Sequence, residues 1–398
     1  MITSPAFSGK SFAVLGLARS GLATVDALLA SGAEVMAWDS NDEARANVAS
    51  LARSDGEGDQ AKPGGGVEGA GLGGSGAGTT EVGATYPSTT VPVVPLPTSS
   101  ARREAKLRIA DPLVTSIYGF SGVVVSPGVP LNRHPIADRA RRASVPVIGD
   151  VELFALARKE LPAHKVVGIT GTNGKSTTTA LLHHILQTAG VPSRMAGNIG
   201  LPILSQEPLP EGGVYVLELS SYQIDLTQSL DCEVAILLNL SPDHLDRYDA
   251  IDDYAASKAR LFDMQSHAHA AILGTDDDYT RSIAAVLAGR KILMSAADVK
   301  DQSRWPALQG PHNAQNAAAA VAAARELGLN DAVIARGLET YGGLPHRMER
   351  VAEKSGVLFV NDSKATNPDS TAPALAAYPA VHWILGGLAK SDELDACE

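Results

Sequence analysis

Cysteine is nearly missing from this chain: Cys232 and Cys397 stand far apart among 398 residues. That excludes a disulfide framework and a cysteine-built metal cluster, and it fits a reducing cytoplasm. Excess positive charge is missing too. The net charge of −11 argues against broad binding to nucleic acid or to an anionic membrane, though it leaves room for a local cationic pocket around a phosphorylated ligand. Long apolar runs are absent as well. The opening MITSPAFSGKSFAVLGLARSG has no basic stretch ahead of its short apolar run, so neither a signal peptide nor a transmembrane span is expected. What is present is 44% hydrophobic residues, enough for real cores. At about 150 residues per domain, the length predicts two or three domains.

The pattern along the chain predicts an α/β protein. SFAVLGL (11–17) reads as a buried strand, followed by a glycine-containing turn and a helix from about Ser20 to Ala30. AEVMAWD (33–39) is a second strand ending in an acid, which completes a βαβ opening. Residues 54–106 break the pattern, first with glycine and then with Pro, Val and Thr. Little there could offset the entropy of ordering, so an insertion is expected. GVVVSPGVP (122–130), a helix near 133–143 and VPVI (145–148) close a first domain, 1–150. A second, 151–343, starts with KVVGIT (165–170) and continues through VYVLELS, VAILLNL, AAILG and KILM to the alanine-rich helix NAQNAAAAVAAAREL (313–327). A third unit, 344–398, contains VLFVNDS (357–363), a helix and HWILGG (382–387). With only about 55 residues, it is expected to be a partial domain.

The most informative stretch is GITGTNGKSTTTALL (168–182). Gly171 and Gly174 let the backbone turn tightly and aim N–H groups at phosphate oxygens. Lys175 supplies positive charge, and Ser176 or Thr177 a hydroxyl for Mg²⁺. The usual phosphate-loop spacing would put its first glycine at position 169, which is Ile169, so GTNGKST is a variant loop. A glycine turn that only caps a helix is the bland alternative. Glu218 ends an apolar strand, where open α/β sheets bind ligands and where an acid can hold Mg²⁺. In NLSPDHLDRY (239–248), Asp243, His244 and Asp246 crowd one loop and suit Mg²⁺, phosphate or proton traffic. Ser-Pro-Asp is equally good turn chemistry.

GTNGKST, GNIG (197–200), ELSSYQ, NLSPDHLDRY, GPHNAQN, LPHRMER and NDSKATNP follow one another in the order found in the ATP-dependent Mur ligases, which the chain resembles over nearly its whole length outside the insertion. The resemblance implies three domains: Rossmann-like and UDP-binding, central ATPase, and a Rossmann-like C-terminal domain that closes over the site, here partial. GLARSG, SPGVP and NDSKATN resemble the member that joins D-glutamate to UDP-N-acetylmuramoyl-L-alanine through an acyl phosphate, with ATP and Mg²⁺.

Residue by residue, the resemblance assigns Arg19, Ser20, Asp39 and Ser40 to the uracil end of the UDP-substrate. Ser126, Pro127, Gly128 and Asn198 fall to its diphosphate and sugar, with Ser220, Gln223 and His244 also on this substrate. The ATP set is Gly171, Thr172, Asn173, Gly174, Lys175, Ser176, Thr177, Asn313, Asn316, Arg347 and Asp362. Thr366 and Lys390 are assigned to D-glutamate. The metal set is Ser176, Glu218, His244 and a carbamylated Lys258, and the catalytic set is Lys175, His244, Lys258 and Lys364. Read without the resemblance, Lys258 is a surface lysine on an amphipathic helix, and Asn313 is a helix cap. A cytoplasmic bacterial monomer is expected, with no nucleic acid or membrane partner. A folylpolyglutamate-type ligase and a nucleotide-binding fragment without ligase activity are the rival readings; Arg19 to Asp39 argue against the first.

Overall fold

The computed structural model describes residues 1–51, 106–243, 247–365, 368–387 and 397. Nearly all of the expected insertion, together with His244, Thr366 and Lys390, lies outside the described residues.

Two parallel sheets carry the molecule. The first contains β1 (Ser11–Leu15), β2 (Glu34–Trp38), β3 (Leu107–Ile109), β4 (Gly122–Val125) and β5 (Val147–Ile148), in the order β3-β2-β1-β4-β5. Its helices are α1 (Arg19–Ala30), α2 (Asp42–Leu51), α3 (Ile136–Arg142) and α4 (Asp150–Ala157). The strand period of two sends Phe12 and Val14 into one apolar cluster, and Ala13 and Leu15 into another on the opposite face.

The second sheet contains β6 (His164–Thr170), β7 (Ser193–Gly197), β8 (Gly213–Glu218), β9 (Val234–Leu237), β10 (Ala270–Gly274) and β11 (Arg290–Met294), in the order β11-β10-β9-β6-β8-β7. Its helices are α5 (Lys175–Thr188), α6 (Ser221–Asp225), α7 (Ile251–Asp263), α8 (Asp278–Val286), α9 (Pro311–Glu326) and α10 (Asp331–Thr340). Val214 and Val216 of β8 face the α5–α9–α10 layer, while Tyr215 and Leu217 face the layer that holds Tyr254 and Leu261 of α7. Alanine at most inward positions of α9 lets it lie close against α5.

Each sheet changes winding direction at one strand. β1 lies between β2 and β4, and β6 lies between β9 and β8. Crevices open at the carboxyl ends of such strands, so the fold itself offers one ligand position after β1 and another after β6.

The third unit holds β12 (Glu349–Lys354) and β13 (Val357–Asn361), paired antiparallel, then α11 (Pro368–Leu375). Residues 382–387 form no ladder. Among the described residues, no helix is long and apolar enough to cross a membrane.

Candidate nucleotide-binding site

After β6 the chain turns through Gly171 (φ 148°) and Gly174 (φ 84°) into α5. Gly174 is the helix N-cap and has no side-chain capping bond. A Cβ at Gly174 would sit 2.1 Å from Asn316 Oδ1, so glycine is demanded by conformation and by space together. The N–H groups that open α5 lack partners within the helix and form an anion-receiving surface. Lys175 Nζ folds back onto the loop, donating to the carbonyls of Gly171 (2.9 Å) and Thr172 (2.7 Å). Burial holds its pKa below the usual lysine value, against the opposing pull of Glu218 and Asp243.

The loop is held from outside by residues that carried no assignment in the sequence. Asn239, just past β9, accepts from Asn173 N at 2.8 Å and donates through Nδ2 to Asn173 O at 3.2 Å. The same Nδ2 reaches Gln315 Oε1 at 2.7 Å, and Gln315 Nε2 reaches Asp276 Oδ2 at 2.6 Å. Thr172 Oγ1 donates to Ser241 O (3.2 Å) and accepts from Ser241 N (3.0 Å). The sequence signal for Gln315 was its place between two assigned asparagines on a helix of alanines. Asn316 accepts from Thr178 Oγ1 (3.2 Å) and donates to Asn313 Oδ1 (3.1 Å), and Asn313 Nδ2 donates to Gln309 O at 3.0 Å. Asn313 is therefore no helix cap; that position belongs to Gly310.

Glu218 ends β8 at 2% exposure. Its Oε1 accepts from Asn198 Nδ2 at 2.9 Å, while Oε2 is buried without a hydrogen-bond partner. A buried carboxylate oxygen left bare beside a phosphate-type loop fits a divalent cation. Among the described residues, no group of three or more His, Cys, Asp and Glu side chains has metal-binding geometry, so Glu218 would share the ion with phosphate oxygens, a hydroxyl or water. Lys258 is 1% exposed. Its Nζ lies 3.4 Å from Thr170 Oγ1 and 4.5 Å from the centroid of the Tyr254 ring. Burial, and next the charge of Lys175, hold its pKa well below the usual lysine value. The reading of Lys258 as a surface lysine is thereby overturned, because α7 turns 254, 255, 258, 261 and 262 inward together.

Ser220 caps α6. Its side chain accepts from Gln223 N at 3.3 Å, and Gln223 Oε1 accepts from Ser220 N at 3.1 Å, a reciprocal box that occupies both residues.

The residues expected at the uracil end gather after β1. Asp39 Oδ2 accepts from Leu17 N (2.7 Å) and Oδ1 from Asn41 N (2.9 Å), so the acid ties the end of β2 to the first turn. Arg19 and Ser20 open α1, and Ser40 is exposed beside Asp39. Ser126 Oγ donates to Gly16 O at 2.9 Å, which brings the Ser126–Gly128 turn alongside. From the third unit, Arg347 Nη2 donates to Ser176 Oγ at 3.0 Å. Asp362 Oδ1 accepts from Met348 N at 2.9 Å, and burial raises the Asp362 pKa. Lys364 is exposed and donates through its backbone N–H to His346 O.

A glycine loop at the winding switch of a parallel sheet, with a lysine, a hydroxyl and an opposing acid, defines the class of nucleotide-phosphate-binding α/β proteins. Residues 169–307 match the profile described as Mur ligase middle domain. A UDP-N-acetylmuramoylalanine–D-glutamate ligase of Novosphingobium aromaticivorans is 56% identical, with 100% of this chain and 78% of that protein covered. One of the same name from Sphingopyxis alaskensis is also 56% identical, over 100% of this chain and 81% of that protein. Among solved structures, MurF from Acinetobacter baumannii is similar at 25% identity and a TM-score of 0.50, covering 70% of this chain and 65% of that one. A murein peptide ligase from Psychrobacter arcticus, at 17% identity and a TM-score of 0.50 over 92% of this chain and 75% of that one, shares the fold. The chain belongs to the Mur ligase family.

Proposed function

We infer that this chain is a ligase of peptidoglycan precursor synthesis that joins D-glutamate to UDP-N-acetylmuramoyl-L-alanine. The observation that carries this reading is the 56% identity, across the whole chain, to relatives bearing that name. ATP is the energy source in this reading. The loop from Gly171 to Ser176 receives its phosphates, and Lys175 lies beside the phosphoryl group in transfer. Support comes from the positive φ values, the short approach of Asn316 to Gly174, and the arginine that reaches Ser176 from the third unit.

Mg²⁺, when bound, would offset charge on the phosphates; Glu218 would help to hold it, and the bare Oε2 supports that role. Lys258 deepens the site. CO₂ adds only to a neutral amine, and an ammonium pressed by burial and by Lys175 gives up its proton readily, which supports a carbamate at this position. Asn198 orients Glu218 from the side assigned to the sugar. The alanine carboxylate of the UDP-substrate attacks the γ-phosphorus of ATP and expels ADP, and the amine of D-glutamate then attacks the acyl-phosphate carbonyl, loses a proton and expels phosphate as the amide forms. Residues 1–150 would serve the UDP moiety, 151–343 ATP, and 344–398 the closing face, in the bacterial cytoplasm and as a monomer. His244, Thr366 and Lys390 keep their expected roles toward substrate and glutamate.

The test is phosphate release from ATP with UDP-N-acetylmuramoyl-L-alanine, with and without D-glutamate. Release that needs both substrates and is matched by new amide is expected. Release indifferent to the UDP-substrate would leave only a nucleotide-binding protein, and release driven by a folate in its place would favour the rival ligase.

A further inference from the structure

We propose that Arg247 is a positioning residue that locks the Ser126–Val129 turn of the first sheet onto helix α6 of the second, and so fixes where the diphosphate of the UDP-linked substrate lies relative to the ATP loop. The proposal rests on the reading above together with the expected place of Ser126, Pro127 and Gly128 at the diphosphate and sugar of the UDP-substrate.

The turn is closed by Val129 N donating to Ser126 O at 3.0 Å, and is tied to the first sheet through Ser126 Oγ and Gly16 O. Its outward carbonyls meet one guanidinium: Arg247 Nη2 donates to Gly128 O at 3.0 Å and Nη1 to Val129 O at 3.1 Å. Asn132 Nδ2 returns a contact to Arg247 O at 3.5 Å. The guanidinium carbon lies 4.3 Å from the centroid of the Tyr222 ring, on α6. Tyr222 stacks on Tyr248 with centroids 6.1 Å apart and planes at 17°. Tyr248 OH donates to Asp225 Oδ2 at 2.8 Å, and Asp225 Oδ1 accepts from Ser257 Oγ at 2.8 Å, so the aromatic platform is itself held by α6 and α7.

α6 begins three residues after Glu218, through the Ser220–Gln223 capping box. The guanidinium therefore spans from the turn that receives one phosphate group to the helix that follows the acid facing the other. Two adjacent carbonyls and an aromatic face call for a planar fork of donors. A lysine offers one point charge and no plane, so it cannot replace the arginine here.

The experiment compares Arg247→Ala, Arg247→Lys and Tyr222→Leu with the unaltered chain. KM for UDP-N-acetylmuramoyl-L-alanine and KM for ATP are measured, along with amide hydrogen exchange. Both arginine variants should raise KM for the UDP-substrate about ten-fold, as expected for losing charge-assisted bonds, with KM for ATP moved by no more than about two-fold. Tyr222→Leu should give a smaller rise, because both hydrogen bonds remain. Exchange should quicken at 126–131 without global loss of protection. Equal rises in both KM values, full rescue by lysine, or unchanged exchange at 126–131 would each overturn the proposal. If the unaltered chain does not turn over this substrate, the functional reading fails by itself, and the exchange measurement still decides whether Arg247 holds the turn.

Discussion

Asp150, in the first turn of α4, is buried, and burial raises its pKa from 3.8 to about 6. Backbone N–H groups compensate in part, that of Val151 donating to Oδ1 at 3.0 Å and that of Asp150 itself also favouring the ionised form. Between 3.8 and about 6 the folded protein binds a proton that the unfolded chain has already released, so the ionised acid lowers stability as pH rises through that interval. Asp150→Asn keeps the acceptor and removes the charge. It should stabilise the protein by about 1–3 kcal/mol at pH 7.5, with the gain fading toward pH 4, as read by urea unfolding at both values. An equal gain at both would mean that packing, not ionisation, sets the effect. Nothing in GDVEL announces this burial, since an acid opening a helix is normally solvated. Lys258 was more legible than it looked: Tyr254, Lys258 and Leu261 have the spacing of one helix face. What misled was residue type, because lysine at such a spacing is usually outside.

At the scale of elements, strands were the readable part. Apolar runs such as VAILL and VYVLE are buried on both faces, as parallel strands are, and they lie where periodicity put them. The β12–β13 hairpin was missed as a hairpin. Ser355 (φ 53°) and Gly356 (φ 76°) form its two-residue turn, a Ser-Gly signal between strands whose exposed faces alternate weakly. The partners of the phosphate loop were unreadable because they come from β9, β10 and α9, distant in sequence and adjacent only through sheet order. Gly174→Ala should abolish detectable ATP binding and destabilise the fold by about 1–2 kcal/mol, from the left-handed backbone alone. Adding Asn316→Ala removes the atom that the new methyl would strike. The pair should therefore be less damaging than the sum of the singles, in a double-mutant cycle of unfolding free energies. Strict additivity would mean that the loop does not need this close approach.

Across the whole molecule, the third unit touches the glycine loop after β6 through Arg347 and Ser176, 171 positions apart in the chain. LPHRMER alone could not say which loop its arginine would reach. Arg347→Ala should lower kcat by about 10²-fold or more if this guanidinium faces transferred phosphate, while calorimetric affinity for the UDP-substrate stays unchanged. Loss of UDP-substrate affinity in this variant would show that the third unit supports the first sheet instead of the glycine loop.

The two parallel sheets also share an apolar cluster, running from Ile2 and Phe7 through Val14 to Ile203, Leu204 and Leu217. Ile2 N donates to Leu204 O at 2.9 Å, and α1 packs against the turn at Ile203–Ser205. During synthesis at about 5–20 residues per second, Ile2 therefore waits roughly 10–40 s for its partner to leave the ribosome. For that interval Ile2 stays without the partner that covers it. An uncovered apolar segment of this kind is what holding chaperones recognise, and burial of Ile2 reports that the chain has been made at least as far as the Ile203–Ser205 turn.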